Sequence, residues 1–505
     1  MAIGAEQAYA NLVERSQRIA LLGSSAGVLH WDMETYMPSG GAPHRARQVS
    51  LISGMTHEMF TAPEMGEWLS TVERSPLVAD RESDAAVNVR ELRREYDRSV
   101  KVPKALVEEL SRVTALAHNV WREARRRSDF QAFQPTLERI VELKREQADA
   151  IGTGPTRYDA LLDGYEPGMT VAEMRRVFDA LTAELSPFVE RIVASGRTPD
   201  RTILRRDYPA EGQAVLGRIV AENIGFDLTS GRIDTSAHPF TISFGPGDTR
   251  LTTRYAVHDV GSSLFSVLHE GGHGMYDQGL EPEHYGTPRG EPVSLGIHES
   301  QSRMWENFVG RSRSFWEYAL PIARGIFPGA LSGVSMDAIY WAVNDVRPSF
   351  IRVEADEATY NLHVLLRFDL EQRIIGGDLA TTDIPAAWNE RFAQLLHTTP
   401  PDDARGCLQD VHWSGGSFGY FPTYTLGNLY AAQFFAQAQQ DLGDLDGMLR
   451  RGQFRPLLDW LREKIHRQGM RYRAGDLVRR VTGRPLDHRP LMEHLRTKLS
   501  PLYGV

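Results

Sequence analysis

Apolar positions recur at three- and four-residue spacing along most of this chain, with charged residues between them, and that period belongs to amphipathic helix. Residues 104–127 and 134–150 keep it. So does 170–196, where Thr170 stands as an N-cap and Glu173, three residues on, completes a capping-box pattern. The stretch 428–499 reads as helical again. One segment breaks the period. Phe240-Thr-Ile-Ser-Phe244 and Leu251-Thr-Thr-Arg-Tyr255 are rich in β-branched and aromatic residues, and Gly245-Pro-Gly-Asp248 between them is a strong turn signal. The pattern predicts a mainly α protein with a single β-hairpin.

Length and composition narrow the class. The 505 residues, 41% of them hydrophobic, suffice to bury several cores. Length alone suggests about three domains, yet no linker, low-complexity tract or solenoid-period repeat interrupts the chain, so one large continuous fold is expected. The net charge of −9 offers no positive field for nucleic acid. Arg125-Arg126-Arg127 follows Trp121 on a helical stretch and reads as a solvated helix face. The first seventeen residues mix charges into a helical pattern, without a basic region followed by an apolar one, and no run approaches about 18 apolar residues. Neither secretion nor membrane spanning is expected. The single cysteine, Cys407, rules out an internal disulfide and a cysteine-rich metal site, and a cytoplasmic protein is the simplest expectation.

The candidate chemistry lies just after the hairpin. In Ser263-Leu-Phe-Ser-Val-Leu-His269-Glu270-Gly-Gly-His273 two histidines stand four residues apart. On a helix those positions share a face, so both imidazoles reach one ion, while Leu264, Phe265 and Leu268 bury the rest. Glu270 lies about 100° round the helix from His269, placed for a metal-activated water instead of the metal. Gly271 and Gly272 need a reason, because each costs about 1 kcal/mol in a helix interior; close approach of another backbone or of a substrate supplies one. A hydrolytic zinc usually takes three protein ligands. Glu299, 26 residues after His273 in Gly296-Ile-His298-Glu299-Ser300-Gln301, is the favoured third ligand, with neighbouring His298 its rival. The helical run that follows presents Met304, Trp305, Phe308 and Val309 on one apolar face. Zinc in such a set activates water and polarises a carbonyl, and Glu270 takes the water's proton and passes it to the leaving amine. Oxyanion donors are also needed, and residues 409–424, with His412, Tyr420, Tyr424 and several glycines, supply them densely. Packing of an aromatic loop explains that segment equally well, and a lone His238 before a strand is more often structural.

These residues resemble the carboxypeptidase Taq-type metallocarboxypeptidases. Six patterns that mark that family occur in its order: His238-Pro-Phe; Asp248-Thr-Arg250-Leu-Thr252; His269-Glu-Gly-Gly-His273; His298-Glu-Ser-Gln301; Ile351-Arg352-Val-Glu-Ala355-Asp356; and Gly406-Cys-Leu-Gln409-Asp-Val-His412-Trp413. The similarity extends to Trp31-Asp32, Thr35 through Pro38, and Thr359-Tyr-Asn-Leu-His363. The resemblance implies a largely helical single domain over 1–505 with a deep groove, the helices of about 1–130 forming a lid, and a homodimer. It implies removal of single residues from peptide C-termini with broad specificity, His269, His273 and Glu299 as zinc ligands, and Glu270 as base. Cobalt or manganese would also fit such a site.

An exopeptidase must hold a free carboxylate, and arginine's planar fork suits that task. Arg352 is the first candidate and Arg250 the second; the bland alternatives are structural ion pairs, for Arg352 with Asp356 on its own helix. His238 and Gln409 complete the expected substrate-binding set, with His412 and Tyr420 or Tyr424 on the oxyanion or substrate. The expected partners are peptides with a free C-terminus, with no nucleic acid and no membrane. Two other readings share the chemistry or drop it: a zinc oligoendopeptidase or dipeptidyl carboxypeptidase, and a non-catalytic peptide-binding metalloprotein.

Overall fold

The computed structural model describes residues 3–505, so Met1 and Ala2 of the N-terminal stretch read above lie outside the described residues. Helices take up 71% of the chain, and a three-stranded sheet is the main exception, so the mainly α class is as expected. Two compact units form. One comprises Met1–Val100, Asp200–Val343 and Phe434–Val481, the other Lys101–Pro199, Asn344–Gln433 and Thr482–Val505. Neither is contiguous in sequence, which explains why no linker composition marks a boundary. The stretch 1–130 is shared between the two units, changing from one to the other after Val100. Among the described residues, no helix is long and apolar enough to cross a membrane.

The periodic segments fold as read. A helix runs Lys104–Arg127, and there Arg126 and Arg127 pair with Glu123 on their own exposed face. Another runs Phe130–Ile151. A third, Val171–Ala194, begins with the capping box: the Thr170 hydroxyl accepts from the Glu173 amide while the Glu173 carboxylate accepts from that of Thr170. The C-terminal stretch is helical but broken, into Pro422–Leu442, Leu445–Arg450, Arg455–Lys464, Ala474–Thr482 and Arg489–Tyr503. Gly443 and Gly452 adopt positive φ at two of the breaks, which ends a helix without a Cβ penalty.

The hairpin forms in the first unit and gains a strand that the pattern did not reveal. Strands β1 (Gly231–Thr235), β2 (Thr241–Ser243) and β3 (Thr249–Thr253) lie in the order β1-β3-β2. β2 pairs antiparallel with β3, Ile242 opposite Arg250, and Gly245 and Gly247 supply the positive φ of the turn. β1 pairs parallel with β3. Its sequence, Gly-Arg-Ile-Asp-Thr, carries little β preference, so the ladder with β3 decides its conformation, and a local reading misses it.

The helix Val260–Asp277, here the His269 helix, packs on β3, on the helix Ala210–Ile224 and on the helix Leu295–Arg303. Asp259 caps it by accepting from the Ser262 amide. Gly272 is where Leu295–Arg303 crosses most tightly: a Cβ there would lie 2.5 Å from the Gln301 carbonyl oxygen and 2.6 Å from the Ser302 Cα. This is the close backbone approach that the sequence required. Gly271 meets only the Ile224 side chain, at 3.3 Å. Gly272→Ala is therefore expected to cost about 3 kcal/mol by overpacking, read as a drop in the denaturant midpoint at unchanged slope, while Gly271→Ala costs under about 1 kcal/mol. Equal effects of the two would mean that the helix crossing is not the constraint.

Candidate active site

Two helix caps position the candidate metal ligands. Asp259 starts the His269 helix, and the Ser294 hydroxyl, accepting from the Ile297 amide, starts Leu295–Arg303 and so sets where Glu299 points. One atom from each of His269, His273 and Glu299 lies within 4.8 Å of the others. The Glu299 Oε2 is 3.3 Å from His273 Nε2 and 3.8 Å from His269 Nε2. Glu270 and Glu299 are both buried.

The outer nitrogens of both rings are already engaged. His269 Nδ1 is 2.9 Å from Glu306 Oε2. His273 Nδ1 is 2.5 Å from His298 Nδ1, and His298 Nε2 is 2.9 Å from Asp277 Oδ1. If His273 donates from Nδ1 and His298 donates from Nε2 to Asp277, both inner Nε2 atoms keep a lone pair facing Glu299. Two imidazole lone pairs and one carboxylate oxygen are the donor set that a divalent ion takes with an open fourth position, so the residues fit one. His298, the rival third ligand, stands behind His273 and stacks on it at 4.6 Å.

Charge is held on the carboxylates. Burial opposes ionisation of Glu299, but Arg303, His269 and His273 outweigh it and hold the group far below the usual carboxylate range. Burial likewise opposes Glu306, and Arg303 and His269 bring it down to about 2. Arg303 serves both, with Nε 2.7 Å from Glu299 Oε1 and Nη1 3.2 Å from Glu306 Oε2. Sequence reasoning passed over Arg303 and Glu306, although Glu299, Arg303 and Glu306 stand at i, i+4 and i+7, one helical face. A π-helical turn over Met304–Val309 carries Glu306, and Met304, Trp305, Phe308 and Val309 are buried as expected.

Glu270 is fixed from the hairpin. The Thr241 hydroxyl on β2 lies 2.7 Å from Glu270 Oε2 and 3.0 Å from the Glu270 carbonyl oxygen. β2 is the sheet edge: Phe240 and Phe244 hydrogen-bond across to β3, so alternation turns the backbone groups of Thr241 and Ser243 outward. Arg250 on β3 is spent locally. It pairs with Asp248 through Nε (2.9 Å) and Nη2 (2.8 Å), and its guanidinium lies 4.3 Å from the Trp31 ring centre and 4.8 Å from that of Phe244. His238 is exposed, its Nδ1 3.0 Å from the Pro239 carbonyl oxygen.

The remaining candidates lie in the second unit. His412 Nε2 is 3.3 Å from the Tyr424 hydroxyl, and the His412 ring centre is 4.3 Å from that of Phe421 and 5.4 Å from that of Tyr420. Arg352 does not pair with Asp356, nor does it lie on an α-helix. It sits on a 3-10 turn, Arg352–Glu354, and donates from Nε (3.1 Å) and Nη2 (2.8 Å) to Asp410 Oδ1 and from Nη1 to the Tyr360 hydroxyl (2.8 Å). Asp356 instead accepts from the amides of Ala358 and Thr359 at the start of the next helix. Gln409 spends its amide on backbone, accepting from the Arg352 N–H at 2.8 Å and donating to the Phe350 carbonyl at 2.8 Å.

A mainly helical chain with a His-Glu-x-x-His helix, a glutamate from the next helix and an edge strand tied to the intervening glutamate defines a metallopeptidase. The family description "Carboxypeptidase Taq (M32) metallopeptidase" matches residues 11–499. Thermostable carboxypeptidase 1 of Thermus thermophilus is 48% identical, over 99% of both chains, and carboxypeptidase 1 of Bacillus subtilis is 37% identical, over 96% of this chain and 97% of that one. The crystal structure of the M32 carboxypeptidase from Deinococcus radiodurans superposes with a TM-score of 0.95 at 38% identity, covering 99% of this chain and 100% of the other. The chain belongs to the carboxypeptidase Taq (M32) metallopeptidase family; it is a metallocarboxypeptidase, a hydrolase of peptides whose family implies a divalent ion.

Proposed function

We propose that His269, His273 and Glu299 hold a zinc ion and that Glu270 is the general base in releasing single residues, with broad specificity, from peptide C-termini. The observation that carries this reading is the meeting of three ligand atoms within 4.8 Å beside a glutamate anchored to a free strand edge. When bound, the ion supplies Lewis acidity towards the attacking water and the scissile carbonyl. Thr241 occupies Glu270 Oε2, which leaves Oε1 to accept a proton from water and hand it to the departing amine. The outward backbone groups of Thr241 and Ser243 take the extended substrate as an added strand. His412 and Tyr424, with Tyr420 beside them, donate to the developing oxyanion or to the substrate. Arg352 receives the C-terminal carboxylate, with Gln409 holding its backbone; Arg250 and His238, already committed to contacts of their own, rank behind it. By the same resemblance the protein acts in the cytoplasm as a homodimer of single-domain chains, with a deep groove under N-terminal helices.

The test is a product ladder. An unblocked peptide of about ten residues is expected to lose one C-terminal residue at a time by mass spectrometry, with no loss after chelation and recovery on adding zinc or cobalt. Internal cuts would reassign the protein to an oligoendopeptidase, and losses of two residues to a dipeptidyl carboxypeptidase. No cleavage with any added ion would leave a peptide-binding metalloprotein.

A further inference from the structure

Arg352 is not the only cation on Asp410. Arg367, on the helix Thr359–Gly376, donates to the other carboxylate oxygen from Nε (2.7 Å) and pairs with it through Nη2 (2.5 Å). Its remaining nitrogen, Nη1, donates to the His363 carbonyl oxygen at 2.6 Å. Arg367 is fully buried and Arg352 is 4% exposed. One carboxylate thus divides its two oxygens between two buried guanidiniums and neutralises one of them. Among the described residues, no second carboxylate pairs with either guanidinium. His363, fully buried on the same helix, is kept neutral by burial and by the two guanidiniums. Glu371, one turn beyond Arg367, spends its oxygens on the Tyr158 hydroxyl, the Trp413 ring N–H and the Gly419 amide. Burial also pushes the Glu371 carboxyl up to about 7, so near neutral pH it carries only part of a charge.

Two N–H groups of Arg352 have no acceptor among the described residues. Asp410 sits on the Nε–Nη2 side of Arg352, and Tyr360 takes one Nη1 hydrogen. A guanidinium has five N–H groups, so one hydrogen remains on each terminal nitrogen to donate to a carboxylate. The Tyr424 ring lies against this guanidinium, 4.8 Å from centre to centre. A buried cation without a full counter-charge is costly, and an incoming carboxylate relieves that cost.

We propose that Arg367 is a positioning residue of the carboxylate site: by claiming one oxygen of Asp410 it keeps Asp410 from pairing wholly with Arg352, and so leaves Arg352 with unmatched positive charge for the C-terminal carboxylate of the peptide. The inference rests on the assignment of Arg352 to that carboxylate. Without Arg367, Asp410 closes on Arg352 as a neutral bidentate pair, and the site loses its attraction for an anion.

The experiment compares Arg367→Met, Arg367→Lys and Arg352→Met with the parent enzyme, all metal-loaded, with circular dichroism and melting to verify folding. For each, KM and kcat are measured on a free-carboxylate peptide, together with inhibition by a product amino acid and by its amide. Arg367→Met is expected to raise KM about tenfold with kcat within about twofold, and to weaken inhibition by the amino acid while sparing the amide; tenfold corresponds to about 1.4 kcal/mol. Arg367→Lys, which keeps the charge, restores most of the loss. An unmoved KM in Arg367→Met, or equal losses in the Met and Lys variants, overturns the proposal and leaves Arg367 as packing against the Trp388 ring, whose centre lies 4.6 Å from its guanidinium. If Arg352→Met leaves KM and the preference for acid over amide intact, the Arg352 assignment itself fails and takes this inference with it. Should Arg367→Met not fold, Arg367→Gln gives the same neutral comparison with hydrogen bonding kept.

Discussion

Glu270→Gln is expected to lower kcat about a thousandfold, equivalent to about 4 kcal/mol, while the bound ion and the melting temperature stay near those of the parent. The amide keeps the shape of the carboxylate and can still accept the Thr241 hydroxyl hydrogen bond through its oxygen. It cannot take a proton from water, because the remaining atom is an NH2 donor. Glu270 is not among the three atoms that face one another, so its loss leaves the ligand set whole. Steady-state kinetics with ion content measured on the same sample separate the two functions. Near-parental kcat with a full complement of ion would remove Glu270 from the base role, whereas loss of the ion would move it into the ligand set.

Removal of the ion is the second large effect. Dialysis against a chelator is expected to abolish peptide hydrolysis, and readdition of zinc to restore it. Because the cluster joins the His269 helix to Leu295–Arg303, an ion held there would bind the native state and not the unfolded chain. At free ion about a thousand times Kd, this linkage contributes about 4 kcal/mol, so the melting temperature falls on chelation and rises again with added ion. His273→Ala is expected to abolish both the activity and the ion-dependent rise. Glu306→Gln keeps the ligands but weakens the hold on His269 Nδ1, and is expected to lower ion affinity about tenfold or more. A melting temperature insensitive to chelation, together with persisting activity, would rule out the ion site at this cluster.

Much of the site was legible because its pieces are local. Four-residue spacing placed His269 and His273 on one face, and the doubled glycine signalled a close approach that Gly272 makes with the Gln301 backbone. The Thr170 capping box and the turn at Gly245–Asp248 are likewise short-range chemistry, and they fold as read. Residues that depend on distant partners were not legible. Thr241 meets Glu270 across 29 positions, His269 meets Glu306 across 37, and Arg352 meets Asp410 across 58. Asp356, at the helical spacing from Arg352, was the wrong partner for a physical reason: Ala355 takes an extended conformation after the 3-10 turn, and Asp356 turns to cap the following helix.

The sequence by itself therefore determined the helical class, the hairpin, the His-Glu-x-x-His face with Glu299 downstream, and membership in a family of ordered motifs. Only the tertiary structure decided β1, the engagement of each imidazole's outer nitrogen, the anchoring of Glu270 by Thr241, and the sharing of Asp410 between two arginines. Periodicity and capping act within a few residues and leave their mark on the order of the chain. Which carboxylate a buried guanidinium or imidazole meets is set by the packing of elements far apart in sequence, and by the need to satisfy each buried charge once water has been excluded.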